Sequence, residues 1–174
     1  LVGERMTRDP LTILEDTTVD EALKLMRSNK IRRLPVVDKK GKLVGIVAEK
    51  DVLNASPSPA TSLSIWEIHY LLARLTVKEI MTKQVITAQE DTPLEEAAKV
   101  MSDNKIGGLP VVRDGRVVGI ITETDMFKIF LELLGARTPG VRLTLMVSEK
   151  TGVLAALTCA ISNIGGNIIS LGTF

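Results

Sequence analysis

Two residues in the second half of the chain have types and a spacing that suit a phosphorylated sugar. Thr122 and Asp125 lie where an apolar, strand-like run ends and a helical pattern begins. The free N–H groups and the positive dipole end at a helix start favour a phosphate. A threonine hydroxyl can donate to a phosphate or ribose oxygen, and an aspartate can accept from ribose hydroxyls. The same spacing is that of a capping box, which alone would explain both residues, and the two roles can coexist.

A short basic cluster, Arg32-Arg33 beside Lys30, offers a second kind of chemistry. The planar donor fork of arginine suits a phosphate, and a solvated basic turn explains the same residues equally well. The whole chain carries 22 Lys and Arg against 21 Asp and Glu, a net charge of +1. No bulk field therefore draws it to nucleic acid or to a membrane surface.

Residues for catalysis or metal binding are few. His69 is the only histidine, and Cys159 is the only cysteine, which excludes an internal disulfide and a zinc site of paired cysteines. Cys159 falls in an apolar helical pattern, so we expect a buried, inert thiol. No Ser–His–Asp order or Walker loop is present. We therefore predict no catalytic residue and no metal site.

Length and composition favour an ordinary globular protein. The 174 residues, 45% of them hydrophobic, are enough for one or two domains with real cores. No apolar run reaches the roughly 20 residues of a membrane helix, and we see no signal peptide. With one cysteine, these features predict a cytoplasmic protein.

An internal repeat organises the chain. Residues 2–53 recur as residues 77–127 with about half of the positions identical, at an offset of 75 residues that falls to 74 after the extra Lys40. Each copy should be one folding unit with a face that needs a partner. Two such copies make a pseudo-symmetric pair with a cleft between them, where we expect the function to lie.

Each copy has the predicted order strand, helix, strand, strand, helix. Thr17 with Asp20 and Thr92 with Glu95 have capping-box spacing at the first helix, which then carries an apolar stripe. The last helix of the second copy should stop at Gly135. The predicted strands are 11–13, 34–37 and 43–47 in the first copy, and 85–87, 109–112 and 117–121 in the second.

The segments outside the repeat differ from it. Residues 55–59 have the serine and proline content of a linker, and 64–75 carry a helical stripe. Beyond residue 140 the pattern predicts a strand over 141–147, a helix from Val153 and a strand over 167–171. A strand–helix–strand of this size has too small a core to stand alone, so we expect a third domain that is cut short.

Motifs common to both copies resemble those of a tandem pair of CBS domains. They are Val-x-x-x-Met-Thr from Val2 and Val77, Leu-Pro-Val-Val from Leu34 and Leu109, and the closing segments 45–51 and 119–125. The tail resembles the first half of an ACT domain, with residues 149–152 and 167–168 near that family's usual Asp-x-x-Gly and Asn-Ile. This domain order is similar to the bacterial acetoin-utilisation B proteins.

The resemblance implies an α/β (α+β) fold and a regulatory sensor that binds an adenine nucleotide (AMP, ADP or ATP) between the repeats. It also implies a homodimer formed through the CBS helices. The expected domains are 1–54 (first CBS), 55–75 (linker and helix), 76–136 (second CBS) and 137–174 (partial ACT-like). Ala48 stands where the family has threonine, so the second half should bind better. The expected nucleotide-binding residues are Thr12, Arg32, Arg33, Pro35, Asp51, Thr87, Ile106, Gly108, Leu109, Pro110, Thr122 and Asp125.

Two rival hypotheses remain open. S-adenosylmethionine also carries an adenosine moiety, and the sequence does not separate it from AMP. In a different class, the pair is a ligand-free oligomerisation module whose apolar helices serve as an interface. An adenosyl ligand should raise the thermal stability of a nucleotide sensor or of an S-adenosylmethionine sensor. It should leave the thermal stability of a ligand-free module unchanged.

Overall fold

The computed structural model describes residues 1–55 and 74–173. They fall into two compact units, Leu1–Asp125 and Met126–Phe174. The predicted linker at 55–59 and helix at 64–75 lie almost entirely outside the described residues.

The first unit repeats one pattern of elements, as the sequence predicts. A short helix comes first, followed by one long helix, a β-hairpin and a closing helix in each half, and the first half also has two short strands before its long helix. The elements in chain order are α1 (Val2–Arg5), β1 (Thr7–Arg8), β2 (Ile13–Leu14), α2 (Val19–Ser28), β3 (Arg33–Val37), β4 (Leu43–Ala48), α3 (Glu49–Ala55), α4 (Val77–Ile80), α5 (Leu94–Asn104), β5 (Gly108–Arg113), β6 (Arg116–Thr122) and α6 (Glu123–Leu133).

Each half contains a three-stranded sheet. The first has the order β2-β3-β4, with β2 parallel to β3 and β3 antiparallel to β4, and the second has the order β1-β6-β5 with antiparallel pairs. The predicted strand at 85–87 is wrong, because only Ala88 pairs there, in a parallel bridge with Val111. The predicted strand at 11–13 is shifted to Ile13–Leu14.

The leading segment of each copy pairs with the other copy. β1 adds to β6, and Thr82 bridges to β4 in return. The Val2 N–H donates to the Thr92 carbonyl at 2.9 Å, and the Val77 N–H donates to the Thr17 carbonyl at 2.9 Å. The two halves of the first unit are therefore interlocked, and the sheet of the second half takes its strand β1 from the first copy.

The helix stripes supply the core. Val19, Ala22 and Met26 of α2 are buried, as are Ala97 and Met101 of α5. This is the i, i+3, i+4 face that the sequence predicts, packed on the hairpin of the same half. Burial of these stripes fixes how far each hairpin stands from its helices.

The predicted helix caps differ from the observed ones. In α2, Thr18 is the N-cap, and its hydroxyl accepts from the Glu21 N–H at 3.3 Å, so the Thr17–Asp20 box is one residue early. In α5 the N-cap is Pro93, and the Thr92 hydroxyl accepts from the Gln89 N–H at 3.0 Å. In the first copy, the consecutive threonines 17–18 and the consecutive carboxylates 20–21 give overlapping capping boxes, so the spacing alone does not fix the register.

The second unit contains the rest of α6 and α7 (Val153–Asn163). The predicted strands at 141–147 and 167–171 are wrong, because neither segment pairs with another. Val141 and Met146 are fully or nearly fully exposed. A strand forms only where its backbone groups find a partner strand, and this short segment of chain offers none. Cys159 is exposed, which corrects the expectation of a buried thiol.

Candidate functional site

The second half brings the predicted pair of residues together where β6 meets α6. The Asp125 carboxylate accepts from the Thr122 N–H at 3.0 Å and from the Thr122 hydroxyl at 2.7 Å. The Glu123 N–H donates to the Gly107 carbonyl at 3.0 Å, which ties this junction to the start of β5. The capping interaction therefore exists, and it holds the partly buried carboxylate beside the β5 start.

The first half has the same geometry without the hydroxyl. The Asp51 carboxylate accepts from the Ala48 N–H at 2.8 Å, and the Glu49 N–H donates to the Arg32 carbonyl at 2.9 Å. Arg33 pairs with Ala48 across β3 and β4, as Gly108 pairs with Thr122 in the other half. The repeat is thus preserved in the backbone, while the side chains at the two junctions differ.

The two predicted strand threonines flank the prolines of the tetrads. Ile13 pairs with Val36, so exposed Thr12 lies beside the Pro35 position. The Ala88 N–H donates to the Pro110 carbonyl at 3.0 Å, which sets half-buried Thr87 beside β5 in the same way. Each half therefore assembles its threonine, proline and aspartate on adjacent segments.

The predicted apolar walls differ in exposure. Ile106 is half-buried, whereas Leu109 is 1% exposed and belongs to the core. Gly108 and Pro110 are also buried. Of these four residues only Ile106 therefore presents substantial side-chain surface, and a role for Leu109 in contacting a ligand stays a prediction.

Arginines of the first half cross to the junction of the second half. The Arg33 Nη2 lies 3.8 Å from the Glu123 Oε2, and the Arg32 Nη2 donates to the Thr124 hydroxyl at 3.3 Å. A Cβ added at Gly107 would come within 1.8 Å of the Arg33 Nη2, so the guanidinium lies directly over this glycine. Arg32 and Arg33 therefore contact the two residues that lie between Thr122 and Asp125 in the chain.

Burial makes Arg33 the unusual charge of this site. Its side chain is 21% exposed, while that of Glu123 is 56% exposed. Burial lowers the pKa of the Arg33 guanidinium, opposed by the carboxylate of Glu123, and Arg32 lowers the pKa further. Arginine stays charged at physiological pH in any case, so a half-buried cation here attracts an anion.

Sequence reasoning missed Glu123 and Thr124. A carboxylate in the first turn of a helix is ordinary, so neither residue type signals a site by itself. One asymmetry of the repeat did contain the information, since Gly107-Gly108 occupy the positions of Arg32-Arg33. Where long side chains of one copy lie against the backbone of the other copy, small residues are needed at the point of contact.

Other features of the described residues lie elsewhere. A shallow depression of about 320 Å³ at the far ends of β2 and β3 is lined by Leu14, Glu15, Asp16, Val37, Asp38, Lys39 and Lys40. Within 1–55 and 74–173, no cluster of three or more His, Cys, Asp or Glu side chains could hold a metal ion. No helix in those ranges is long and apolar enough to cross a membrane.

Comparison with known proteins agrees with the duplicated architecture. The CBS domain family matches residues 2–58 and 77–132. The chain belongs to the CBS domain family. Its two copies make a tandem CBS pair of mixed α/β fold, whose match boundaries follow the repeat.

Three solved structures resemble this CBS pair. The CBS domain pair of protein MJ0100, in complex with 5'-methylthioadenosine and S-adenosyl-L-methionine, is 37% identical with a TM-score of 0.63, covering 75% of this chain and 94% of that one. CBSX2 in complex with AMP is 30% identical with a TM-score of 0.64, covering 76% and 97%. A Vibrio cholerae protein assigned to acetoin utilisation (AcuB) is 35% identical with a TM-score of 0.64, covering 81% and 97%.

The matched region forms very different shares of its curated relatives. It makes up 93% of one CBS domain-containing protein and 22%, 23% and 24% of three enzymes. A pair like this one therefore makes up nearly all of one relative and about a quarter of each of three larger enzymes.

Proposed function

We propose that this protein is a regulatory sensor whose CBS pair binds an adenine nucleotide (AMP, ADP or ATP) between the repeats. The observation that carries the proposal is that half-buried Arg33 of the first half reaches Glu123, inside the Thr122–Asp125 junction of the second half. Asp125 offers a carboxylate to ribose hydroxyls, and Arg33 offers a guanidinium to a phosphate. We assign nucleotide binding to the residues Thr12, Arg32, Arg33, Pro35, Asp51, Thr87, Ile106, Gly108, Leu109, Pro110, Thr122 and Asp125. Of these, Asp51 belongs to the junction of the first half, which we propose to bind more weakly because Ala48 has no hydroxyl.

Similar proteins support the class of ligand. CBSX2 is described with AMP, and the MJ0100 pair with 5'-methylthioadenosine and S-adenosyl-L-methionine. Adenosine is common to all three compounds, so the adenosine moiety is the firmest part of the proposal. The choice of a phosphorylated ligand depends on Arg33 and its neighbours.

Regulation would follow from the interlocked repeats. A ligand shifts an equilibrium only as far as its affinities for the two arrangements differ. Arg32 and Arg33 reach from one half to residues of the other, so a ligand that takes over either contact changes how the halves are held. We propose that residues 137–174, or a separate partner, receive this change, with that segment as part of an ACT-like domain.

A thermal-shift panel tests the proposed function. Purified protein is heated with AMP, ADP, ATP, S-adenosylmethionine, 5'-methylthioadenosine and adenosine, with GMP and CMP as base controls. A ligand at 100 times its Kd stabilises by about 2.7 kcal/mol, which is easily seen as a raised Tm. We expect adenosine compounds to raise the Tm and GMP and CMP to leave it unchanged. No response to any adenosine compound would refute the proposal.

S-adenosylmethionine is the second candidate ligand, favoured by the MJ0100 pair and by the carboxylate of Glu123, which suits a cationic sulfonium. In the panel, a larger Tm shift with S-adenosylmethionine than with AMP would select it.

A ligand-free homodimer is the proposal's main rival of another class. Light scattering coupled to size exclusion measures the oligomeric state with and without AMP. We expect a homodimer in both conditions. A dimer whose Tm does not change with any adenosine compound would favour the oligomerisation module.

A further inference from the structure

We infer that Glu123 sets the preference of the second-half site for the charge of its ligand. In the absence of ligand, Glu123 is the ion-pair partner of Arg33, which lies over Gly107, and an anionic ligand takes the place of Glu123 as that partner. This inference rests on the proposed function and goes beyond it. It assigns a role to a residue that no sequence motif marks, and it states how one repeat reads the ligand of the other.

The glycine pair makes the crossing possible. A Cβ at Gly107 would meet the Arg33 Nη2 at 1.8 Å, and one at Gly108 would lie 3.4 Å from the Arg33 Cδ. The same Cβ would lie 2.5 Å from the Glu123 Oε2, so the clash at Gly107 involves the ends of two flexible side chains. A larger residue there would displace both Arg33 and Glu123 and leave the backbone in place. In the first copy the equivalent positions are Arg32 and Arg33 themselves. One copy therefore supplies the arginine and the other supplies the space for it.

The partner of Arg33 is poorly matched to it. The guanidinium is mostly removed from water, yet its carboxylate lies at 3.8 Å, beyond hydrogen-bond distance, on a side chain that is 56% exposed. At this separation, and with its carboxylate in contact with water, the ion pair contributes little. A phosphate can accept two parallel hydrogen bonds from the same guanidinium, which is a stronger arrangement. An anionic ligand can therefore displace Glu123 as the partner of Arg33.

Glu123 also acts on the ligand directly. It follows Thr122 in the chain, and its N–H is bound to the Gly107 carbonyl, so its carboxylate belongs to the surroundings of any ligand held by Asp125. A phosphate placed there meets a like charge as well as a competitor for Arg33. A neutral adenosine meets neither. Arg33 thus attracts a negatively charged ligand, while Glu123 repels it. The balance of these two effects decides which adenosine compounds bind.

Calorimetric titration with AMP and with adenosine isolates this effect, because the two ligands differ only in the phosphate. The variants are Glu123→Gln, Arg33→Ala and the matched control Glu49→Gln, which changes the equivalent residue of the first repeat. We expect Glu123→Gln to raise the ratio of AMP to adenosine affinity by about threefold or more. Arg33→Ala should lower this ratio by about tenfold. Glu49→Gln should leave it within error of the wild type.

The outcomes separate the inference from the proposal beneath it. If both ligands bind and the ratio stays the same in Glu123→Gln and Arg33→Ala, the charge role of the pair is wrong while the adenosine site stands. If neither ligand binds the wild-type protein, the proposed function fails and the inference falls with it. Gly107→Ala gives an independent check, because its Cβ would displace both Arg33 and Glu123. Since the loss of Arg33 has the larger expected effect, the ratio should fall, though by less than in Arg33→Ala. An unchanged ratio in a folded Gly107→Ala protein would overturn the crossing geometry.

Discussion

Replacing Asp125 by alanine should separate ligand binding from folding, because the repeat provides a matched control. Asp125 and Asp51 occupy equivalent positions, and each carboxylate accepts from the N–H of the residue three before it, at 3.0 and 2.8 Å. Losing such a capping interaction costs about 1 kcal/mol in either half. For a unit of this size the Tm should fall by about 4 °C in both variants. The Asp125 variant also leaves the Thr122 hydroxyl without this acceptor, so its loss should be slightly larger.

Ligand binding should respond to only one of the two changes. Each hydrogen bond from a ribose hydroxyl to a carboxylate contributes about 1.5 kcal/mol or more, so losing two lowers affinity by about 100-fold. Calorimetry with adenosine below the Tm of both variants measures this directly. We expect Asp125→Ala to lose most of its affinity and Asp51→Ala to stay near the wild type, since the first half lacks the threonine at Ala48. Unchanged binding in Asp125→Ala, or an equal loss in both, would refute the assignment.

Three further outcomes follow from other contacts. Thr122→Val removes the hydroxyl bound to Asp125, and adenosine affinity by calorimetry should fall about fivefold, with no change contradicting a role for the hydroxyl. Leu34→Ala and Leu109→Ala each truncate a fully buried side chain, so urea unfolding should show a loss of about 2 to 5 kcal/mol, and a loss below about 1 kcal/mol would contradict the described core. Hydrogen bonding and charge from Arg113, and then from Arg8, lower the pKa of Glu90 in the folded protein. The ionised Glu90 carboxylate therefore stabilises the fold fully above its unfolded pKa of about 4.3, and this stabilisation is lost as the pH falls through the lower folded pKa. Glu90→Gln should therefore flatten the acid side of the curve of unfolding free energy against pH, and a curve as steep as the wild type would contradict these ion pairs.

The repeat made most of the first unit predictable from sequence. Apolar residues at helical spacing gave α2 and α5, and the Leu-Pro-Val-Val segments gave β3 and β5, because local patterns decide these elements. The Thr122–Asp125 contact was also predictable, since it depends on residues three apart. The register of the helix caps was not, because neighbouring residues offered equally good caps.

Contacts between distant segments could not be predicted in the same way. Nothing in residues 2–8 indicates that β1 adds to β6 of the other copy, because strand pairing depends on which edge is free after folding. The crossing of Arg33 to Gly107 belongs to the same class, although the asymmetry between the copies hinted at it. The tail strands failed for the opposite reason, since their apolar pattern has no neighbour with which to pair.

A crystal structure grown with millimolar AMP tests the central claim most directly. The account predicts AMP between the two repeats, with its ribose hydroxyls on Asp125 and its phosphate on Arg33 in place of Glu123. A structure in which side chains fill that space, or in which AMP lies away from the Thr122–Asp125 junction, would contradict it.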